Sequence, residues 1–229
     1  MYRILPKKVM FIGFAWFVVG LFLLLGSLQQ LITFEYRISI VPTIAWVALS
    51  VLLLNPVWRF AWRLVPPLNK WIFPDLNGKW KVEFYSNWSR QVQLLDAAKS
   101  TEYTIDMRVC DESELAELKP LILEADISQT WWSFDMRLHN RDRNSPIDKS
   151  DTIAVDPFPR KGLQPPGVLY FYEQENDTAN VSDSDRFFGA ARLVYDFEKD
   201  ELSGLAWTAR MWDRAMNTAA KVRFTRISK

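Results

Sequence analysis

The sequence is poor in the residues that most often build metal and thiol sites. Among its 229 residues there is one cysteine, Cys110, and one histidine, His139. A single cysteine excludes an intramolecular disulfide, and no Cys/His cluster has the spacing of a metal site. We therefore predict no metal site and no requirement for an oxidising compartment.

Motifs for catalysis are absent as well. Nothing around His139 marks it as the base of a serine or cysteine triad. The chain has no glycine-rich phosphate loop and no His-Glu-x-x-His motif. Its net charge of +1 provides no field that would attract a nucleic-acid polymer. We predict a protein that is not an enzyme, has no catalytic residue and no cofactor, and binds no DNA or RNA polymer.

Charged residues are missing from two apolar runs near the N-terminus. The first run, 9–28, would span roughly 30 Å as a helix, which is one hydrocarbon core. A signal peptide would have a shorter apolar region followed by a cleavage site of small residues. The second run, 38–54, is at the short end for a span, and Pro42 suits the first turn of a helix. We predict two transmembrane helices.

Basic residues flank the two runs on the outer sides of the pair. They are Arg3, Lys7 and Lys8 before the first run and Arg59, Arg63 and Lys70 after the second. Since Lys and Arg are enriched in cytoplasmic segments, both ends of the pair should be cytoplasmic and 29–37 a short external turn. Trp58, Arg59, Trp62 and Arg63 follow at helical spacing, and we expect them in the headgroup layer.

The composition changes after Pro66-Pro67. We divide the chain into a membrane hairpin at 1–65, a linker at 66–74 and a β-rich domain at 75–229. Strands are predicted near 78–86, 101–109, 121–128, 129–138, 151–156, 168–174, 187–197, 202–211 and 219–227. Counting 121–138 as one long bent strand gives eight. About 150 residues can close an antiparallel barrel of about eight strands that holds side chains or one small ligand; a sandwich is the alternative.

The start of this domain carries a short motif with a structural meaning. Gly78-x-Trp80 resembles the beginning of the first strand in lipocalin-like barrels. In those barrels the tryptophan closes one end, and an arginine from the last strand stacks on it. The resemblance implies a closing role for Gly78 and Trp80, with Arg223 or Arg226 as the cation–π partner.

A wider set of motifs runs through the whole chain. It comprises Asp75-Leu76-Asn77-Gly78-x-Trp80, Ser86-Asn87-Trp88, Ile127-x-Gln129-Thr130-Trp131, Tyr170-x-Tyr172, Gly189, Leu202-x-Gly204, Thr208-x-Arg210 and Asn217-Thr218. Together with the two apolar runs, this set resembles the SMODS-associated two-transmembrane β-strand-rich effectors. These are the membrane-tethered β-barrel effectors of CBASS, the cyclic-oligonucleotide-based antiphage system.

The resemblance implies a function. A cytoplasmic β-barrel would sense a cyclic dinucleotide made by a CD-NTase and would oligomerise on binding it. The transmembrane hairpin would then disrupt the bacterial inner membrane and cause cell death. One alternative is a membrane-tethered, lipocalin-like binder of an apolar small molecule, which an interior of Phe and Trp without an inward arginine would favour. Another is a structural membrane subunit with a filled barrel.

A cyclic dinucleotide needs arginine for its phosphates and stacking, amide or hydroxyl groups for its bases. The candidate ligand-binding residues are Arg210, Thr208, Gln129, Trp131, Tyr170, Tyr172 and Ser86. Strand alternation sets Ala206, Thr208 and Arg210 opposite Leu205, Trp207 and Ala209. The second set makes the better core face. We therefore expect Arg210 to point outward unless a bulge turns it, and Trp131 and Trp207 to be core residues.

Overall fold

The structure, a computed structural model, describes residues 4–5, 7–31, 38–140, 147–176, 186–214 and 216–228. The chain divides into two compact units. The first contains Met1–Asp75 together with Thr130–Ser133, and the second contains Leu76–Gln129 and Phe134–Lys229. Of the predicted external turn, residues 32–37 lie outside the described ranges.

The first unit is helical. Its elements are α1 (Lys7–Leu31), a 3₁₀ turn (Ile38–Ile40), α2 (Val41–Leu52), α3 (Asn55–Leu64) and α4 (Pro67–Trp71). Helix α1 packs on α2 through Phe14 and Trp46, whose ring centroids are 5.6 Å apart. Ala45 of α2 is fully buried.

Helix α1 is long and apolar enough over Lys7–Gln29 to cross a membrane. The second predicted span is not clearly a transmembrane helix. With 12 residues, α2 is only about 18 Å long, and α3 continues from it at an angle of 76°. The break precedes Pro56, which has no N–H with which to continue the hydrogen bonding of α2.

The second unit is a closed antiparallel barrel of eight strands in sequence order, in which β1 pairs with both β2 and β8. The strands are β1 (Gly78–Ser86), β2 (Pro120–Gln129), β3 (Phe134–His139), β4 (Ile147–Phe158), β5 (Gly167–Asn176), β6 (Arg186–Asp196), β7 (Glu201–Thr208) and β8 (Ala219–Ser228). Helix α5 (Trp88–Lys99) follows β1, and 3₁₀ turns lie at Glu112–Glu114 and Trp212–Arg214. The predicted eight-stranded barrel is confirmed.

One of the predicted strands is wrong. Residues 101–109 form no strand, because the alternating apolar side chains there are not buried: Val109 is 79% exposed. The strands predicted at 121–128 and 129–138 form as β2 and β3, separated by Thr130–Ser133, and not as one long bent strand. Helix α5, at 88–99, comes before the segment 101–109, and its Gln, Leu and Ala residues favour a helix.

One end of the barrel, which we call the Trp80 end, is closed around a buried cation. The guanidinium carbon of Arg226 lies 4.1 Å from the centroid of the fully buried Trp80 ring. Arg226 also donates to Asp200 at 2.8 Å and to the carbonyl of Asn77 at 2.6 Å. The predicted cation–π contact is therefore confirmed for Arg226. Arg223 instead lies 3.8 Å from Glu83.

A second set of bonds joins the start of β1 to the end of β2 at this end. The fully buried side chain of Gln129 accepts a hydrogen bond from the Leu76 N–H at 2.7 Å. The side chain of Asn77 bonds both the N–H and the carbonyl of Gln129. Gly78 has φ of 125°, a conformation that side chains with a Cβ rarely adopt. These contacts agree with the closing role expected of Gly78.

We expect Arg226→Met to destabilise the barrel by about 2–4 kcal/mol, because it removes a buried cation from its ring, carboxylate and carbonyl partners. The matched control is Arg223→Met on the same strand, which should change stability by less than about 0.5 kcal/mol since that ion pair is exposed. The measurement is urea unfolding of residues 75–229. Equal losses in the two variants would contradict the closing role of Arg226.

Candidate functional site

The opposite end of the barrel, which we call the Arg210 end, gathers polar and aromatic side chains. It is formed by the end of β1, the start of β6, the end of β7 and the following residues through Arg210. The guanidinium carbon of Arg210 lies 4.5 Å from the ring centroid of Trp88 and 5.9 Å from that of Phe187. Phe187 is buried on the inner side of β6. Arg210 is therefore held among aromatic rings at this end.

The expectation about the two faces of β7 is wrong. Ala206 and Thr208 are buried, whereas Leu205 is 62% and Trp207 50% exposed. Arg210 is half-buried in the turn that follows the end of the strand at Thr208, and the chain continues through Met211, whose φ is 45°. The inner face is built of small residues, because the large side chains that fill this part of the barrel come from the facing strands.

The register of the strands shows which side chains lie beside one another in the interior. One inward row crosses five strands and contains Tyr170, Ala191, Ala206, Ala220 and Ser86. Because the three alanines have small side chains, they fill little of the interior beside Tyr170 of β5. The ring of Tyr170 is 5.7 Å from that of Tyr172, so two tyrosines occupy the β5 side.

The next inward row contains Tyr172, Gly189 and Thr208. The ring of Tyr172 lies directly over Gly189, where any Cβ would collide with it. Thr208 and Thr218 share a hydrogen bond of 2.7 Å between their hydroxyls. Within the described part of the chain, the buried hydroxyl of Tyr172 has no hydrogen-bond partner. A buried donor of this kind is costly unless something binds it.

The polarity of this end distinguishes it from an ordinary apolar core. Ser150, Gln174 and Asn176 are buried and polar, and the amide of Gln174 donates to Asn176 at 2.8 Å. Burial raises the pKa of Tyr172 and of Tyr170 above the ordinary tyrosine value. Both hydroxyls are therefore neutral at physiological pH, and Tyr172 can donate or accept a hydrogen bond.

Helix α5 positions the aromatic partner of Arg210. The N–H of Trp88 donates to the hydroxyl of Ser86 at 3.2 Å. Asn87 exchanges hydrogen bonds with the backbone of Ala219 at 2.9 and 3.0 Å, and the side chain of Gln91 donates to the carbonyl of Asn217. These bonds fix the start of α5 beside β8 and so place Trp88 against Arg210.

Five of the seven predicted ligand-binding residues lie between the middle of the barrel and the Arg210 end. They are Arg210, Thr208, Tyr170, Tyr172 and Ser86. Gln129 lies at the Trp80 end, engaged in the bonds described above, and Trp131 belongs to the helical unit. Trp88 and Phe187 were missed as partners of Arg210; the Ser86-Asn87-Trp88 motif and the alternation of β6 were the available signals.

The described residues contain no group of three His, Cys, Asp or Glu side chains that could hold a metal ion. The lone histidine, His139, lies 3.8 Å from Glu124 and 3.7 Å from Asp126. The absence of catalysis and of a cofactor stays a prediction.

Comparison with known proteins gives a limited match. No family model matches the chain. Over 60 residues it is 33% identical to CD-NTase-associated protein 15 of Escherichia albertii. The chain is similar in part to a CD-NTase-associated protein. The match covers 26% of this chain and 31% of the relative, so it spans about a third of that protein's length.

We expect Tyr172→Phe to stabilise the unliganded barrel by about 1 kcal/mol, because it removes a buried hydroxyl that has no partner. Tyr195→Phe is the control, since Tyr195 is also a buried tyrosine but its hydroxyl donates to Asp200 at 2.7 Å. That change should lower stability by about 1 kcal/mol. Thermal unfolding of both variants tests this, and a destabilised Tyr172→Phe protein would contradict it.

Proposed function

We propose that the chain is a membrane-anchored effector of a CBASS antiphage system and that the Arg210 end of its barrel binds a cyclic dinucleotide. The observation that carries the proposal is the position of Arg210 at the end of the barrel, beside Trp88 and the buried ring of Phe187. The partial similarity to a CD-NTase-associated protein supports a CBASS-linked role. A nearby CD-NTase would supply the ligand.

The chemistry of this end suits such a ligand. The guanidinium of Arg210 offers paired donors to a phosphate, and the rings of Trp88 and Phe187 offer faces to a base. The hydroxyls of Tyr172, Thr208 and Ser86 provide hydrogen bonds to base edges or ribose. An apolar small molecule is the second candidate, but the arginine and the buried polar side chains of this end count against it.

The outer face of the barrel supports self-association after binding. Phe171, Phe188 and Trp207 are exposed there around Ala190, which their side chains cover although it points outward. Three half-exposed aromatic side chains present roughly 300 Å², less than the ~800 Å² that each partner contributes to a standard interface. We infer weak association in solution and clustering when barrels are confined to one membrane surface.

The hairpin completes the proposal. Helix α1 and the segment 38–54 would both cross the bacterial inner membrane, with the two termini and the barrel in the cytoplasm. The placement of Lys and Arg supports this orientation. Clustering of the barrels would bring the spans together and disrupt the bilayer, which would kill the infected cell.

The test of binding is a screen of cyclic di- and trinucleotides against residues 75–229, read by melting temperature. At one hundred times its dissociation constant the cognate ligand should stabilise the fragment by about 2.7 kcal/mol. Arg210→Ala should cost roughly 1.5–3 kcal/mol of binding, or about ten- to a hundredfold in affinity. Arg223→Ala, on the outer face, should bind normally. If no cyclic nucleotide shifts the melting temperature, the apolar-ligand hypothesis takes precedence.

The test of clustering uses the full-length protein with its cognate synthase in cells. Trp207→Asp should prevent ligand-dependent clustering and toxicity while leaving nucleotide binding intact, since it alters only the outer face. Leu163→Asp is the control, because Leu163 is exposed in the loop between β4 and β5, away from the aromatic patch. Crosslinking and colony counts are the measurements. Full toxicity of the Trp207→Asp protein would rule out this face as the contact.

A further inference from the structure

Helix α3 does not present to solvent the residues expected in the headgroup layer. Trp58 is 1% and Trp62 6% exposed. Their ring centroids are 5.5 Å apart, and they lie 6.5 and 6.0 Å from the ring of Trp131 in the same unit. Their indole N–H groups bond Asn55 at 3.0 Å and the Phe73 carbonyl at 2.8 Å. Both tryptophans are therefore internal, and the expectation that they anchor in headgroups is wrong.

The basic residues of α3 and α4 also differ in how exposed they are. Arg59 donates to Asp75 at 3.1 Å, and the Asp75 side chain is largely buried. Arg63 is exposed in the last turn of α3, and Lys70 is exposed in α4. Arg63 and Lys70 are therefore more accessible than Arg59 to a partner outside the protein.

Helices α3 and α4 also expose three large apolar side chains. Phe60 is 65% exposed, Leu64 71% and Trp71 77%. Phe60 and Leu64 are four residues apart and so share one face of the helix, and Arg63 adjoins them. An aromatic and aliphatic face that carries cationic residues is typical of helices lying in a membrane interface.

The course of the chain points to the same partner. The apolar helix α2 leads into α3 at an angle of 76° after a break of two residues. If α2 enters a bilayer along its axis, α3 runs close to the plane of the membrane surface. Helix α3 then lies at the level of the headgroups, directly after the apolar helix α2.

We propose that α3 and α4 form a lipid-binding platform, in which Phe60, Leu64 and Trp71 enter the acyl boundary and Arg63 and Lys70 bind the phosphates of anionic headgroups. The proposal builds on the membrane insertion in the proposed function, but it does not depend on nucleotide binding. In this proposal the side of α3 that contacts lipid is the face opposite Trp58 and Trp62.

The experiment uses full-length protein with Cys110→Ser, reconstituted in vesicles of phosphatidylcholine and phosphatidylglycerol. Single cysteines replacing Leu64 or Trp71 carry an environment-sensitive fluorophore; both positions are exposed, so the label disturbs little packing. Labels at Leu23 in α1 and at Leu163 in the barrel are the controls. Quenching is measured with lipids that carry a spin label near the headgroup or deep in the acyl chain.

Labels at Leu64 and Trp71 should be quenched more by the shallow spin label than by the deep one, and at least severalfold more than the label at Leu163. The Leu23 label should prefer the deep quencher. If Leu23 is quenched but Leu64 and Trp71 behave like Leu163, the platform is overturned and membrane insertion stands. If Leu64 and Trp71 are quenched without Leu23, the platform stands and insertion of α1 fails.

A second experiment tests the two basic residues, Arg63 and Lys70. In the same background, Arg63→Glu with Lys70→Glu should remove the dependence of Leu64 quenching on phosphatidylglycerol and on salt. Each basic residue near an anionic surface contributes about fivefold in binding, so loss of two produces a large effect. Quenching that is unchanged by the double substitution and by lipid charge would overturn the role of Arg63 and Lys70 in headgroup binding.

Discussion

Closure of the sheet between β1 and β8 is the constraint on which the rest of the barrel depends. It requires the last strand to bring Arg226 against the fully buried Trp80 ring. A buried cation is tolerated only when its partners are complete, and here Asp200 and the carbonyl of Asn77 supply them. Because Asn77 also binds Gln129, the same contacts join β1, β2 and β8 at one end.

The two ends of the barrel differ in their side chains. An eight-stranded barrel has room for its own side chains or for one small ligand. At the Arg210 end the tyrosines of β5 face a row of alanines on β6, β7 and β8, and the hydroxyl of Tyr172 is buried without a partner in the described residues. A ligand with phosphates and planar bases would use the donors and rings present there.

Two outer surfaces of the protein carry exposed large apolar side chains. Contiguous patches of exposed apolar side chains mark interaction sites, whereas single exposed apolar residues are normal. On the barrel the exposed side chains are the aromatic residues around Ala190, and on α3 and α4 they are Phe60, Leu64 and Trp71. We propose that the first set contacts a second barrel and that the second set, which follows the apolar helix α2 and includes neighbouring basic residues, contacts lipid.

The sequence by itself determined the apolar helix α1 and seven of the eight strands to within a few residues, because these depend on local periodicity. The Gly78-x-Trp80 motif marked the start of β1. The sequence did not determine which face of β7 points inward, where Gln129 lies, or that Trp58 and Trp62 are buried. Alternation shows that two faces differ, but the inner face is chosen by volume: Ala206 faces inward and Trp207 outward because Tyr170 and Tyr172 already occupy the interior. Only the closed barrel sets that volume, since it brings together strands that are far apart in the sequence.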